Sequence, residues 1–246
     1  MPEPRQGPET AAVVQAYRRI AQRLRQATTA GLVGTWQALP NLDDEVVAAW
    51  AARGGPQLDR AQAGVAAATA AYLVATAPEG QRTPVPVPPE LVTSEALRGV
   101  PADELLHRAP EQAWYALSEG KEHPEAMYLA ALRIAALVNT GLQLSHTHAA
   151  RHVMTRRRVP TYRRAARANS CDLCALAARQ TYRSADLMPI HHGCGCVVVP
   201  GWQGGDLDDR RTYDDEAYED EVAVREHDEI GPVLTHQDHH FSPPHT

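Results

Sequence analysis

A mainly α-helical fold is predicted by three features of this sequence. Ala dominates its apolar positions, Phe occurs only once, and apolar residues recur at helical spacing over long stretches. Ala-rich surfaces let helices approach closely and offer little to a β-sandwich. With a hydrophobic share of 43%, the 246-residue chain has enough apolar material for a core. The full expectation has three parts: an Ala-rich helical N-terminal region, a small α+β module built around Cys and His, and a disordered acidic tail.

The elements follow in order. In "AAVVQAYRRIAQRLRQA", Val13, Val14, Tyr17, Ile20 and Leu24 recur at helical spacing, which predicts an amphipathic helix. "PNLDDEVVAAWAARGG" has acids in a first turn, Trp50 inside and Gly54-Gly55 as a stop, which predicts a short helix. A third helix is expected from Gln57 to Ala77, completing residues 1–77. Five prolines between Ala77 and Glu90 make 78–90 an extended linker.

Residues 91–158 return to helical character, with short helices around Pro101–His107 and Glu111–Ser118. A longer helix opens at Pro124, a favourable first-turn proline. Its Met127, Leu129, Leu132, Ile134, Leu137 and Val138 cover most of the circumference, which predicts a central position in a bundle. Gly141 ends or weakens this helix, and helical composition continues through "LQLSHTHAARHVMTRRR". Residues 159–202 differ: "PTYRRAARANS" predicts an extended piece and a turn, "DLCALAARQ" a short helix, and "CVVVP" a strand. Residues 203–246, rich in acids and poor in core formers, are expected to be disordered.

The N-terminal "MPEPRQGPETAA" lacks the basic and apolar regions of a secretory signal. The run "AGVAAATAAYLVATA" is shorter than the roughly 18–20 residues that cross a bilayer, and no membrane association is expected. A soluble protein made in a reducing cytosol follows, where clustered cysteines serve as metal or redox groups. The formal charge of −6 hides an asymmetry. Residues 201–246 hold 13 acids against three arginines, while residues 1–200 hold 17 acids and 21 bases. Nine arginines and one acid lie between Arg151 and Arg183.

All four cysteines fall within "SCDLCALAARQTYRSADLMPIHHGCGCVVVP". The Cys171-x-x-Cys174 pair supplies two thiolates from one turn, as tetrahedral Zn²⁺ requires. Nineteen residues separate Cys174 from Cys194, and there "HHGCGC" offers His191, His192, Cys194 and Cys196. Side chains of an extended Cys-x-Cys point to opposite faces, so one metal takes one of the two more easily than both. The expected ligands are Cys171, Cys174, His191 and either Cys194 or Cys196. The alternative is four thiols without metal, or a disulfide outside the cell. A redox role is disfavoured because no thioredoxin-like βαβ pattern precedes the motif.

A catalytic zinc needs an open position and a nearby general base. Only Asp172 and Asp186 lie within the motif, and neither HExxH nor the zinc-deaminase signature is present. A structural zinc is therefore predicted. Around it, Arg156, Arg157, Arg158, Arg163, Arg164 and Arg167 match phosphates chemically, and either contact nucleic acid or form a solvated basic face. His148 and His152, with His146 nearby, have metal-pair spacing but are read as surface residues. No GxSxG, phosphate loop or Ser-His-Asp grouping is found.

The ordered combination "TYRRAA", "CDLCALAARQ", "TYRS", "HHGCGC" and "VVVP" resembles the C-terminal part of MuF-like minor head proteins of tailed phages, particularly those infecting actinobacteria. It spans about forty residues, from Tyr162 to Pro200. The preceding helical half is similar in composition only. The family's CxxC corresponds to Cys171 and Cys174, and its His-Cys-Cys positions to His191, Cys194 and Cys196. Gln180 stands where relatives often have glycine, the insert before the histidine is shorter, and His192-Gly193 replace a further His or Asp of many members.

The resemblance implies a non-enzymatic minor capsid protein located in the virion, in the capsid interior or portal region, and assembled in the host cytoplasm. Its implied partners are the portal or major capsid protein, and packaged DNA beside the arginines. The enzymatic alternatives are a capsid maturation protease, for which no nucleophile–base pair is recognised, and a zinc-stabilised DNA-binding or nuclease module. "PIHHGC" is only loosely like a ββα-metal nuclease strand, and the downstream Asn and His ligands are missing.

Overall fold

The computed structural model describes residues 8–166, 172–178, 180–190, 195–202, 222–227 and 230–236. Two long helices, α1 (Pro8–Gln37) and α2 (Asp44–Ala75), open the chain. Three shorter ones follow: α3 (Ser94–Arg98), α4 (Ala102–Leu106) and α5 (Arg108–Ser118). The 35-residue α6 (His123–Arg157) comes next. The C-terminal part comprises β1 (Thr161–Ala165), α7 (Asp172–Ala177), β2 (Thr181–Arg183), β3 (Val197–Gly201), β4 (Val222–His227) and β5 (Gly231–His236). The protein is mainly α, with a small strand region towards the C-terminus, as the composition predicts.

Helices α1, α2 and α6 pack along one another and enclose two apolar cores. At one end, Leu32, Trp36, Trp50 and Leu58 meet Leu105 and Leu106 of α4, with Ile134 and Val138 of α6. The Trp36 and Trp50 rings make an edge contact at 5.2 Å. Their indole N–H groups donate to Met127 O and Thr35 Oγ1, both at 3.1 Å, so the polar edges stay paired inside the core. At the other end, Val14, Tyr17, Tyr72, Val153 and Met154 pack against Tyr162, Val198 and Val199 of the strands. Both cores draw on helices from either side of the Pro-rich stretch, which thus joins parts of one bundle. That stretch is strapped down: Val85 and Val87 pack on the core, and Arg157 donates to Gln81 O (2.7 Å) and Thr83 O.

Gly54-Gly55 does not end a helix, and the expected short second and third helices are one, α2, running through Pro56. The glycines serve close approach instead. A Cβ on Gly54 would lie 2.8 Å from Leu106 Cδ1, and one on Gly55 would lie 2.8 Å from the Asp103 backbone nitrogen. Packing of α4 on this small-residue patch outweighs a local propensity penalty of about 1 kcal/mol per glycine.

Gly141 likewise lies inside α6, facing the Gln62 amide. The fully surrounded part of α6 is Gly141–Thr147, whereas Leu132 is 49% exposed. By length and composition α6 could cross a membrane, but its buried face is covered by α1, α2 and α5. Ile20, expected to be inward, is 46% exposed.

The strands form an antiparallel sheet in the order β2-β1-β3, with Tyr162 opposite Tyr182 and Pro200. Every residue from Val197 to Pro200 is buried, so β3 is covered on both faces. Residues 222–227 and 231–236, within the segment expected to be disordered, pair as a β-hairpin. Gly231 opens β5 in the left-handed region (φ 71°), and buried Leu234 docks the hairpin through a bridge to Ile190.

Candidate metal centre and basic face

Two of the five predicted ligands lie within the described residues, and they belong to one cluster. Cys174, buried on α7, packs with Leu173, Ala177, Ile190 and Leu234, and Cys196 lies against the same group. Cys171, His191, Cys194 and Arg167 lie outside the described residues, as does His192. Among the described residues no three His, Cys, Asp or Glu side chains converge. Two thiols on a common apolar cluster, each from a different Cys pair, suit a soft cation that neutralises thiolates in a poorly solvated place. Both are thiols, a donor type that zinc favours.

The segment before the His/Cys run is pinned to the bundle. Arg151 donates to Leu187 O and Arg164 to Met188 O. The Leu234 amide donates to Pro189 O at 3.2 Å, and Gln143 Nε2 to Ile190 O at 3.2 Å. Beyond the run, Tyr72 donates to Val198 O at 2.8 Å, and the Val198 amide donates to His146 Nε2 at 3.4 Å. On α7, Ala177 O accepts from the Tyr182 hydroxyl at 2.9 Å.

His146 is the centre of a buried network that its sequence pattern understated. With Nε2 accepting from Val198, the ring proton belongs on Nδ1, 2.7 Å from the Tyr17 oxygen. Tyr17 in turn donates to Thr69 Oγ1 at 2.9 Å, and Thr69 donates to Val65 O at 2.8 Å. Burial pushes the Tyr17 and Tyr72 phenols well above the ordinary tyrosine range, so both are neutral donors. Spacing four residues after Leu142 and eight after Val138 places His146 on the buried stripe. That signal was available in the sequence. A cleft of about 30 Å³ beside the network is lined by Tyr17, Arg18, Arg25, Gln143, His146 and Cys196. His148 and His152 are half-buried rather than on an open surface. Burial, then the neighbouring Arg151 charge, lowers the His148 pKa.

The arginines separate into two groups. Arg164 is 7% exposed, and besides holding Met188 O its guanidinium lies 5.6 Å from the Tyr162 ring centre and 5.9 Å from that of Tyr182. It presents no fork to an outside phosphate, which removes it from the expected nucleic-acid contacts. Arg157 holds the Pro-rich strap, and half-buried Arg163 donates to Thr181 Oγ1 at 3.0 Å. Arg156 and Arg158 remain exposed at the end of α6. Arg18 of α1 donates to Ala165 O and Ala166 O at 2.7 and 2.8 Å, latching the end of β1.

The sequence model of a family described as VG15 protein matches residues 9–223. No curated protein and no solved structure matches the chain.

Proposed function

The chain belongs to the VG15 protein family, a phage-related family, and from that premise we propose a structural, non-enzymatic role in the phage head. The specific reading is a MuF-like minor capsid protein that docks on the portal or major capsid protein during head assembly. One observation carries it: among the described residues, several polar side chains beside the Cys/His module are spent on holding the fold together. Arg151, Arg164 and Gln143 bind carbonyls, and His146 is occupied by Tyr17 and Val198. Groups committed in this way build a rigid attachment.

Zinc would be held by Cys171 and Cys174, with His191 and one of Cys194 and Cys196. When bound it supplies a cross-link between distant chain segments, and metal-binding energy then acts as folding energy. The rest of the attachment is the work of the bundle, through Gln143, Arg151 and Tyr72. Exposed Arg156 and Arg158 are the positions proposed to meet packaged DNA.

Infected-cell lysates fractionated on a gradient provide the test. The protein is expected to co-sediment with heads, and deletion of its gene to yield defective heads. A protein that stays in the soluble fraction, with normal heads in the deletion, would sink the proposal. Reproducible cleavage of a capsid precursor, abolished by one point substitution, would replace it with the protease reading.

A further inference from the structure

Charge is sorted along the bundle. No Asp or Glu occurs from Thr10 to Leu42, nor from Ala126 to Cys171, and both stretches carry arginines. They hold most of α1 and nearly all of α6. The two helices run antiparallel, since Tyr17 meets His146 while Trp36 meets Met127 O. The first half of α1 and the second half of α6 thus share one end of the bundle, where Arg18 also latches the end of β1. At the opposite end lie Asp43, Asp44 and Glu45 at the start of α2, Asp103 and Glu104 of α4, and Glu125 of α6. Exposed Glu79 and Asp186 sit on the connectors after α2 and β2, not on α1 or α6.

Bonding sorts the arginines of the basic end further. Arg18, Arg151 and Arg157 hold backbone carbonyls. The exposed side chains of Arg19, Arg23, Arg156 and Arg158 hold no described group. Arg156 and Arg158 answer the negative C-terminal end of the α6 dipole, which accounts for them within the fold. Arg19 and Arg23 have no such account. They lie one turn apart on the outer face of α1, well inside a 30-residue helix. Like charges four residues apart disfavour a helix. The opposite arrangement is seen at the acidic end, where Lys121 pairs with Glu125 at 2.8 Å. Exposed Gln15, Gln22 and Gln26 share the outer face of α1 and add neutral donors to it.

We infer that the outer face of α1, through Arg19 and Arg23, is a contact surface for the phosphates of duplex DNA, used together with Arg156 and Arg158. The inference rests on the packaged-DNA reading above and adds a second helix to it. Arginine forks and glutamine amides both donate to phosphate oxygens, and such contacts are independent of base sequence. A polyanion supplies the counter-charge that α1 itself lacks. Segregation of charge also orients the protein, because DNA attracts the basic end of the bundle and repels the acidic one.

The test is binding of the full-length protein to a fluorescent duplex of random sequence, followed by anisotropy from about 50 to 200 mM NaCl. Arg19→Gln with Arg23→Gln should lower the slope of log affinity against log salt by about 2, roughly one per lost contact. The loss of affinity across that salt range should then shrink about tenfold. Arg19→Lys with Arg23→Lys keeps the charge and should keep the slope. Arg53→Gln, beside Glu45 at the acidic end, should leave the slope unchanged. A wild-type slope in the Arg19→Gln, Arg23→Gln variant overturns the inference, as does a drop in Arg53→Gln equal to that of Arg19→Gln alone. If Arg156→Gln with Arg158→Gln still lowers the slope in that case, the DNA reading stands without α1. A wild-type protein with no affinity for the duplex at about 50 mM NaCl overturns both.

Discussion

The Tyr17 hydroxyl and the His146 imidazole lie 2.7 Å apart where α1, α6 and β3 meet, and each completes the hydrogen bonding of the other. The tyrosine accepts the Nδ1 proton and passes its own to Thr69, while Nε2 receives the Val198 amide. One buried chain of donors thus ties three helices to the sheet that leads out of the Cys/His module.

Tyr17→Phe should therefore cost about 0.5–1.5 kcal/mol: it removes the bonds to His146 and Thr69, while Thr69 Oγ1, 3.1 Å from His146 Nδ1, stays in reach of the imidazole. A lower denaturant midpoint with an unchanged m-value checks this. A midpoint equal to wild type would show that the network does not hold the sheet.

Alkaline pH offers a second handle. Tyr17 and Tyr72 have folded-state pKa values raised above the ordinary 10.0, chiefly by burial. Above about pH 10 the unfolded chain releases these protons while the folded chain keeps them, so stability falls as pH rises. Below pH 10 the contribution is fully present. Denaturation midpoints from pH 8 to 11.5 should drop at the alkaline end, and Tyr72→Phe should flatten the drop relative to its own value at pH 8.

Gly55→Ala separates packing from propensity. Helix propensity alone predicts a gain of about 1 kcal/mol. The new methyl would instead meet the Asp103 backbone nitrogen at 2.8 Å, and overpacking of this kind typically costs about 1–3 kcal/mol. A lowered Tm is expected, and a raised one would mean that α4 does not sit on this patch.

Arg158 caps α6 in the left-handed region, at φ 54°. Arg158→Gly should raise stability by several tenths of a kcal/mol, since glycine adopts this conformation without the Cβ penalty. The same substitution should weaken binding to duplex DNA and reduce its salt dependence if Arg158 meets phosphates. Thermal melts and a salt titration read the two effects separately.

Much of the architecture was legible in the residues. Ala-rich periodic stretches announced helices, Pro124 marked the opening of α6, and "CVVVP" read as a strand. Gly54-Gly55 misled because a glycine pair signals a stop only where nothing packs on it; here α4 does. The hairpin of β4 and β5 was hidden because its few apolar residues lie among many acids, and its docking depends on Leu234 meeting Ile190. Of the predicted site, Cys174 and Cys196 share one apolar cluster, to which the bridge between Ile190 and Leu234 also belongs. The roles of the arginines were not foreseeable, because exposed and carbonyl-bound guanidiniums have the same letter in a sequence.

The sequence alone determined the helical class, the chemistry concentrated between Cys171 and Cys196, and the contrast between a basic body and an acidic C-terminal segment. These follow from composition and local spacing. Tertiary structure decided which polar groups are free to act and which are consumed. Arg164, Gln143 and His146 were assigned to the scaffold because buried carbonyls and amides, brought near by packing of distant segments, had to be paired.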